Sequence, residues 1–313
     1  MPMPPMRTIN FIIGNHAPCV LTEDLFEYIV QGIRGAGANI NYSIDEYAGD
    51  CVNIIMEGST VNTAKSFANL RQKYSQSRMY VIATDILTAG GLNSAHAVQR
   101  PLGRQYTAAE YWVERDAAFQ ALVARADGLI FPAETLSEGY QKYKLRSHYL
   151  PLVALPGYPV LRREARSERD IDVFFSGTLT DYRKEVLAQL SGRGLKVMAL
   201  PLQFPDYIRR HFLGRSKLAV GLRIGPDTPF ISKQRAHYLL ANRMPHLFEA
   251  TRERSDLHSF VEFAEPGETF LARCVDLIND TRVFPEHRFD DFRQFPPFDS
   301  VSVFRAFQQF LNP

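Results

Sequence analysis

Short apolar runs alternate with longer amphipathic patterns along almost the whole chain, and this alternation constrains the fold more than any other feature. "TINFIIG" predicts a strand, and "TEDLFEYIVQGIRGAG" predicts a helix that begins at a threonine cap and ends at glycine. Later strand candidates include "VNIIME" and "DGLIFPA", and "AAEYWVERDAAFQALVARA" has the spacing of an amphipathic helix. Strands that alternate with helices are typical of a parallel sheet covered on both faces, so we expect an α/β fold.

The alternation is interrupted at "LPGYPVLRREARSERD", residues 155–170, where prolines, a glycine and a dense charge run show no period. It resumes with the strand "IDVFFSGTL". We therefore predict two Rossmann-like domains whose parallel sheets face each other across a cleft. The predicted parts are an N-terminal domain over residues 1–155, a linker over 156–170, a C-terminal domain over 171–285, and a connector with a final helix over 286–313. The final helix could pack on either domain.

The composition excludes several broad classes of protein. A chain of 313 residues, 45% of them hydrophobic and 22% charged, can bury one large core or two moderate ones. Because 36 Lys and Arg residues are balanced by 34 Asp and Glu residues, nothing general indicates nucleic acid or an anionic membrane as a partner. No apolar run has the roughly 18 residues of a membrane span, and no signal peptide is evident, so we expect a cytoplasmic protein. Cys19, Cys51 and Cys274 offer no zinc spacing, and we expect no structural metal.

In open parallel sheets, ligands bind beyond the carboxyl ends of the strands, where loops lead into helix N-termini. The first such loop of the second half is "SGTLTDYRKEV", whose small residues allow backbone to approach a ligand closely. Arg183 follows in the first turns of the helix. The alternative is an ordinary strand-to-helix turn capped by Thr180 or Asp181. The candidate ligand-binding residues of the turn itself are Ser176, Gly177 and Thr178.

A second loop of this kind leads into "TPFISKQRAHYLLANRMPHLFEA", which predicts a helix followed by a strand. Lys233 and Arg235 occupy the opening turn, although unpaired N–H groups and the helix dipole already make that end positive. Lys233 either extends into water or helps to hold an anion, and Arg235 either pairs with an acid such as Asp227 or helps to hold the same anion. Two small-residue turns at helix N-termini, each with arginines nearby, together predict a diphosphate pocket. Two further candidates are Arg223, near the preceding strand end, and Ser232, at one of the helix starts that the sequence allows.

The chain lacks the Walker lysine loop, the G-x-G-x-x-G fingerprint and the kinase signature, which argues against ATPases and dehydrogenases. Instead, "DVFFSGTLTDYRKEVLAQLSGRGLKVMAL" resembles the start of the donor-binding domain in GT-B-type, nucleotide-sugar-dependent glycosyltransferases with a family 1-like donor domain. "FISKQRAHYLLANRMPHLFEA" is similar to the segment there that holds the donor phosphates, and "VEFAEPGETFLARCVDLIND" to the helix that ends the domain. The resemblance covers roughly residues 170–280, and the N-terminal half matches only in architecture.

The resemblance implies a GT-B-like fold and a transferase that takes a nucleotide sugar as its substrate, with no other cofactor. It implies that the C-terminal domain binds the donor and the N-terminal domain the acceptor. It also implies that a helix dipole and basic side chains neutralise the leaving diphosphate without a metal. Many retaining members carry a pair of glutamates around this segment, whereas "DTPFISKQRAHY" has none, which favours inversion. The residues that match the phosphate-facing loops are Ser176, Gly177 and Thr178 in the first and Lys233 and Arg235 in the second.

An inverting transfer needs a general base that removes the proton of the attacking hydroxyl. His16 lies just beyond the first strand in "GNHAPCVLTED", where the predicted architecture faces the cleft, and the family often has a base in that loop; the alternative is a surface histidine. Asp85, at the end of "YVIATDIL", is the second candidate unless it only caps the following loop. The long loop over residues 87–112, basic at Arg100 and Arg104, is the candidate acceptor site.

Two other interpretations remain open. One is another nucleotide-sugar enzyme with the same two-domain plan, such as an epimerase, which needs acids and bases in place of an acceptor site. The other is a non-catalytic two-domain protein that closes on a ligand. The sequence also leaves open the donor sugar and its nucleotide, and the acceptor can be a glycan, a lipid, a protein or a small molecule.

Overall fold

The computed structural model describes residues 8–13, 23–57, 61–85, 87–88, 91–92, 109–158, 161–201, 204–280, 284–295 and 299–312. The chain divides into two compact units. The first contains Met1–Pro151 and Phe298–Pro313, and the second contains Leu152–Pro297. Residues 156–170, for which the sequence predicts a linker, therefore belong to the second unit, and the end of the chain belongs to the first.

The helices and strands have the following bounds. The strands are β1 (Ile9–Ile13), β2 (Ile40–Ile44), β3 (Val52–Met56), β4 (Arg78–Ile82), β5 (Leu87–Thr88), β6 (Gly91–Leu92), β7 (Gly128–Phe131), β8 (Arg146–Tyr149), β9 (Ile171–Ser176), β10 (Val197–Leu200), β11 (Ser216–Gly221), β12 (His246–Glu249) and β13 (Phe263–Ala264). The α-helices are α1 (Glu23–Gly35), α2 (Val61–Lys73), α3 (Ala109–Val123), α4 (Ser137–Tyr140), α5 (Asp181–Gly192), α6 (Asp206–Gly214), α7 (Lys233–Ala241), α8 (Glu268–Asn279), α9 (His287–Gln294) and α10 (Ser300–Leu311). Short 3₁₀ helices cover Glu134–Leu136, Gln141–Tyr143 and Arg166–Glu168.

The first unit is built on a parallel sheet with the strand order β2-β1-β3-β4-β7-β8. Its central strand β3 is buried along its whole length, as expected of a parallel strand covered on both faces. The edge strand β2 has no such cover, and its Tyr42 and Ile44 side chains are exposed. Beside this sheet, β5 and β6 form a small antiparallel hairpin.

Buried asparagines fix the register between the two central strands of this sheet. Asn10 on β1 lies opposite Asn53 on β3, and its Nδ2 donates to Asn53 Oδ1 at 2.9 Å. Asn53 in turn holds the preceding loop, because its Oδ1 accepts from Ala48 N at 2.9 Å and its Nδ2 donates to Ala48 O at 3.0 Å. A one-residue slip would leave these buried amides without partners, so the carboxyl ends of β1 and β3 are aligned.

The last helix, α10, packs on the first unit. The Phe304 ring fills the space that a side chain on Gly32 would need, since a Cβ there would lie 1.9 Å from the ring. The Tyr80 hydroxyl donates to the carbonyls of Phe310 at 3.1 Å and Leu311 at 3.2 Å. The sequence left the partner of this helix open, and the contacts assign it to the first unit.

The second unit has a parallel sheet with the order β10-β9-β11-β12-β13. Its first strand, β9, lies between the second and third, as β1 does in the first unit. Short apolar strands bury most of their residues, and α5, α8 and α7 each contribute apolar side chains to the core.

Residues 161–170 are attached to this second unit. Leu161 N donates to Asn242 Oδ1 at 2.7 Å, and Glu164 N donates to Gly214 O at 3.1 Å. The guanidinium of Arg166 donates to the carbonyl of Ile278, in the last turn of α8, at 2.7 Å. These bonds explain why a polar, aperiodic stretch is ordered, because its backbone N–H groups and the Arg166 side chain bind partners in the second unit that a linker would replace by water.

In both units the strand order reverses direction next to the first strand. The reversal lies between β1 and β3 in the first unit and between β9 and β11 in the second. At such a switch point the two connections leave the sheet in opposite directions, which opens a crevice at the carboxyl ends of the strands. These two places are where we look for functional side chains.

Candidate functional site

The switch point of the second unit is formed by the loops that follow β9 and β11. Gly177 comes directly after β9 and has a φ of +148°, which disfavours residues with a side chain. Thr180 is the N-cap of α5: its side chain accepts from Arg183 N at 3.3 Å and donates to Ile224 O at 2.9 Å. The cap therefore ties the glycine turn to the loop after β11.

Arg183 joins the same two loops from inside the protein. Its guanidinium donates to the carbonyls of Thr178 at 2.8 Å, Leu222 at 2.8 Å and Arg223 at 3.0 Å. Burial, followed by the nearby charge of Arg235, lowers the pKa of Arg183 to about 9. Since its donors are used by backbone carbonyls, the structure gives Arg183 a part in shaping the crevice.

Arg235 reaches the glycine turn from α7. Its Nη2 donates to Ser176 O at 2.6 Å, and a Cβ on Gly177 would lie 2.7 Å from the same nitrogen. The guanidiniums of Arg235 and Arg183 lie 5.3 and 5.2 Å from the centroid of the Phe175 ring. Two guanidinium groups therefore lie beside a turn in which Gly177 has no side chain. Positive charge at such a turn is suited to binding an anion.

The N-terminus of α7 lies in the same part of the unit. The helix begins at Lys233 with Ser232 as N-cap, and the Ser232 side chain makes no capping hydrogen bond. Lys233 is buried, and its Nζ lies 2.6 Å from Asp256 Oδ1. Asp256 therefore balances the Lys233 charge, whereas the sequence offered only water or an anion as its partner. A role for Lys233 and Ser232 in phosphate binding stays a prediction.

Arg223 and a buried carboxylate complete the site. Glu249, the last residue of β12, is buried and accepts from Arg223 N at 2.7 Å and from the Tyr182 hydroxyl. The Arg223 side chain donates to Pro226 O at 2.7 Å, and its Nε lies 3.9 Å from Glu249 Oε2. Glu249 thereby holds the loop after β11 against α5, and its negative charge acts on Arg183.

The switch point of the first unit carries acids. Glu57 directly follows β3 and is buried; its Oε2 accepts from Thr84 N at 2.7 Å, and its Oε1 accepts from the Thr84 hydroxyl. Asp85 is the next residue after Thr84 and forms an ion pair with Arg115 of α3, whose Nη2 lies 3.6 Å from Glu57 Oε1. The Tyr140 hydroxyl donates to Asp85 O at 2.8 Å.

The pKa of Glu57 is raised to about 8 in this cluster. Burial is the largest cause and the charge of Asp85 the second, while Arg115 and the hydrogen bonds from Thr84 act in the opposite direction. Burial also raises the pKa of the Tyr140 phenol far above its usual range, so this hydroxyl stays a neutral donor. A buried carboxyl with a pKa near neutrality therefore lies beside a more exposed carboxyl. Such a pair can exchange protons at physiological pH.

The structure brings together part of the predicted site. The glycine turn, Arg183, Arg223 and Arg235 share one switch point, and Asp85 lies at the other. His16, Arg100 and Arg104 lie outside the described residues, so the base role of His16 and the acceptor loop stay predictions. Sequence reasoning missed Glu57 and Glu249, although each follows an apolar strand in the manner of Ser176. It also missed Arg115 and Tyr182, because the pattern of a helix does not show which of its polar side chains contact a site.

The described residues offer no metal site of protein ligands. They contain no group of three or more His, Cys, Asp or Glu side chains arranged to hold a metal ion. Nor do they contain a helix long and apolar enough to cross a membrane.

Comparison with known proteins places the fold. No protein-family model and no curated protein sequence matches the chain. Among solved structures, an alpha-glucosyltransferase in complex with UDP and a 13-mer DNA has a TM-score of 0.56 and 11% identity, and the match covers 99% of this chain and 100% of that one. A UDP-forming trehalose-phosphate synthase from Burkholderia xenovorans has a TM-score of 0.50 and 10% identity, with 98% of each chain covered. A UDP-N-acetylglucosamine 2-epimerase has a TM-score of 0.49 and 9% identity, with 96% of this chain and 94% of that chain covered. The chain therefore has the fold of the GT-B glycosyltransferases, with one parallel α/β sheet in each of its two units.

Proposed function

We propose that this protein is a glycosyltransferase that moves a sugar from a nucleotide-sugar donor to an acceptor hydroxyl, with inversion at the anomeric carbon. The observation that carries the proposal is the meeting of Gly177, Arg183 and Arg235 at the switch point of the second unit. A fold shared with nucleotide-sugar enzymes makes a donor diphosphate the ligand with the matching charge.

In this proposal, the donor diphosphate lies against the glycine turn and the N-terminus of α7. Arg235 donates to its oxygens, while Arg183 holds the loop carbonyls in place and adds positive charge from beneath. As the bond to the sugar breaks, negative charge grows on the leaving phosphate, and fixed guanidinium and amide donors stabilise it most at that stage. These groups supply the positive charge that other transferases take from a metal ion, and we propose that no metal is required.

The first unit supplies the proton acceptor in this scheme. An inverting reaction needs a base for the attacking hydroxyl. His16 follows β1, which borders the switch point of that unit, and Asp85 follows β4, the strand next to β3. Asp85 lies within the acid cluster described above. His16 remains the alternative base.

The test is a thermal-shift titration with UDP, other nucleoside diphosphates and their sugar conjugates. A ligand that binds the folded protein raises its midpoint. Arg235→Ala should weaken that binding about tenfold or more, because a charge-assisted hydrogen bond contributes roughly 1.5–3 kcal/mol. Arg193→Ala is the matched control, since Arg193 pairs with Glu268 at the surface of the same unit, and it should bind as the wild type does. If no member of the panel raises the midpoint, or if Arg235→Ala binds equally well, the proposal fails.

An epimerase of nucleotide sugars is the second candidate, and the paired carboxyls Glu57 and Asp85 are the observation that favours it. Epimerisation removes and returns a proton on the sugar itself, so it needs acids and bases without an acceptor. Incubating the bound nucleotide sugar alone and examining the sugar by NMR separates the two. A changed configuration elsewhere than at the anomeric carbon, in the nucleotide sugar or in the sugar that hydrolysis releases, supports the epimerase. Transfer of a sugar that is otherwise unchanged supports the transferase.

A further inference from the structure

Glu57 and Asp85 share one cation at the switch point of the first unit. Arg115 contacts both carboxylates through its Nη2, which pairs with Asp85 Oδ2 and lies 3.6 Å from Glu57 Oε1. The exposed fractions of the three side chains are 1% for Glu57, 9% for Arg115 and 18% for Asp85. Two carboxyl groups therefore contact one guanidinium group at a site where little of the three side chains is exposed to water. With both acids ionised, these three groups together carry one negative charge.

The groups packed around the pair come from three elements. Thr84, after β4, donates two hydrogen bonds to Glu57, and Tyr140 of α4 donates to the Asp85 carbonyl. The Tyr140 phenol is neutral and cannot compensate a second carboxylate, because burial and both acids hold its proton in place. Arg115 of α3 is the cation that touches both acids.

Two carboxylates that repel each other in a low dielectric lose their protons in two separate steps. The second proton is held more tightly than the first, and the pKa of Glu57, at about 8 against an ordinary 4.5, reflects this together with its burial. Asp85 is the more accessible member. The charge of Asp85 acts on Glu57 beside the Arg115 that both acids contact.

We propose that Glu57 and Asp85 work as one acid pair that takes up the proton of the attacking acceptor hydroxyl, with Asp85 as the oxygen that receives it. This inference rests on the proposed transferase function. Asp85 is then the catalytic residue, and Glu57 is a positioning residue that acts through Asp85 and Arg115.

The step balances without any further reactant. The O–H bond of the acceptor breaks and its proton goes to an Asp85 oxygen. The electron pair of that bond forms the new bond from the acceptor oxygen to the anomeric carbon. The bond from that carbon to the phosphate oxygen breaks, and the diphosphate leaves with its electron pair. The acid pair gains one proton and becomes neutral together with Arg115, which is favourable in a buried place.

A carbon-13 NMR titration of the ligand-free protein, labelled at the glutamate side-chain carboxyls, tests the pair directly. The Glu57 resonance should titrate near pH 8 and not near 4.5. Asp85→Asn removes the like charge and leaves Arg115 to Glu57, so it should lower that midpoint by about one pH unit or more. Glu262→Gln is the matched control: Glu262 is also buried and pairs with Arg273 and Arg288 in the second unit, and its loss should leave the titration unchanged.

Assignment does not depend on a single Glu57 variant. Glu57→Asp should remove the resonance; if that variant does not fold, Glu57→Gln, which keeps the size of the side chain, assigns it in the same way. A Glu57 carboxyl that titrates near 4.5, or that ignores the Asp85 substitution, overturns the pair.

The catalytic half of the inference is tested by the pH dependence of nucleotide-sugar turnover with water as acceptor. The wild-type rate should rise toward pH 8 and then level. Asp85→Asn should lower kcat about a hundredfold or more with little change in KM, because general-base catalysis contributes that much. An Asp85→Asn enzyme with the wild-type rate overturns the base role.

The outcomes of these experiments distinguish a failure of the acid pair from a failure of the proposed function. If the titration is as expected but no nucleoside diphosphate binds, the acid pair stands and the transferase proposal fails. If UDP binds through Arg235 and Glu57 titrates as an ordinary acid, the reverse holds.

Discussion

The switch points of the two units share one backbone plan and differ in charge. In the first unit, the carboxyls of Glu57 and Asp85 meet around the guanidinium of Arg115. In the second, the guanidiniums of Arg183 and Arg235 approach each other beside a glycine turn. In both, the strand order reverses next to the first strand of the unit. The topology therefore selects the place of a site, and the side chains that follow the strands select its chemistry.

The difference in charge also separates the two roles that a sugar transfer requires. A leaving diphosphate is stabilised by cations and amide donors, whereas an attacking hydroxyl must lose a proton to a base. One crevice cannot easily do both, because guanidiniums without acids to balance them would lower the basicity of a base, whereas in the first unit two acids share the single guanidinium of Arg115. Three changes, from the largest expected effect to the smallest, test how far this contrast holds.

Arg183→Met should disrupt the two loops at the switch point of the second unit and remove one of the guanidinium groups there. The substitution leaves the carbonyls of Thr178, Leu222 and Arg223 without their buried donor. We expect a loss of roughly 3 kcal/mol or more in the free energy of unfolding, since each orphaned buried group costs about 1–3 kcal/mol. Denaturant unfolding measures it. Lys184→Met is the control: Lys184 is the next residue and is exposed, with a surface pair to Asp181, and its loss should change stability by less than about 1 kcal/mol. Equal effects would mean that Arg183 does not hold the loops.

Two buried groups, one in each unit, should contribute to the pH dependence of stability with opposite signs. Burial lowers the pKa of His246, in the second unit, to about 4 from 6.5. The unfolded chain then takes up a proton first as the pH falls, so this contribution to stability is lost between about pH 6.5 and 4. Glu57, with its raised pKa, costs stability as the pH rises from 4.5 to about 8.

His246→Phe tests how much of the loss of stability at acid pH comes from His246. The ring packs against Phe248, Phe284 and Phe289, which suits an aromatic replacement. Relative to the wild type, the variant should gain on the order of 2 kcal/mol of unfolding free energy between pH 6.5 and 4.5. Unfolding curves across this range measure the gain. The exposed His211→Phe should follow the wild type, and a His246→Phe curve parallel to it would contradict the linkage.

Gly177→Ala should narrow the space at the turn without removing a charge. The added Cβ would lie 2.7 Å from Arg235 Nη2 and 3.1 Å from the Phe175 ring, at a φ that side chains disfavour. We expect a destabilisation of about 1 kcal/mol and weaker nucleotide binding, both visible in one thermal-shift titration. Gly192→Ala, in α5 with no heavy atom within 4 Å of its Cβ, should be neutral or slightly stabilising. A Gly177→Ala protein that binds UDP normally would show that the ligand does not approach this turn.

The prediction of two parallel α/β sheets is confirmed, and its success has a local cause. Runs such as those of β3 and β9 are mostly apolar, and a helical pattern follows many of them, so the local pattern is enough to predict the elements. The start of α7 after Ser232 was also among the predicted starts. Patterns of this kind depend on near neighbours in the chain.

Other elements were missed or drawn differently where the pattern is weak. Helices α2 and α9 were not predicted, and α9 lies in a Phe-rich stretch taken for a connector, where Phe289 and Phe292 are buried. Residues 134–144 form a short α-helix between two 3₁₀ turns. Gly139 there lies so close to Leu87 that a Cβ would be 2.4 Å from its carbonyl oxygen, a constraint that no local pattern contains.

The sequence by itself determined the class of fold, the order of strands and helices along the chain, and the small residues and cations that follow β9 and β11. These follow from periodicity, capping and turn chemistry, which act over a few residues. Only the tertiary structure decided that Arg183 binds carbonyls, that Asp256 balances Lys233, and that Glu57 and Asp85 share Arg115. Each of these pairings joins residues far apart in the chain, and burial then sets their charge states, so neither appears before the sheets are assembled.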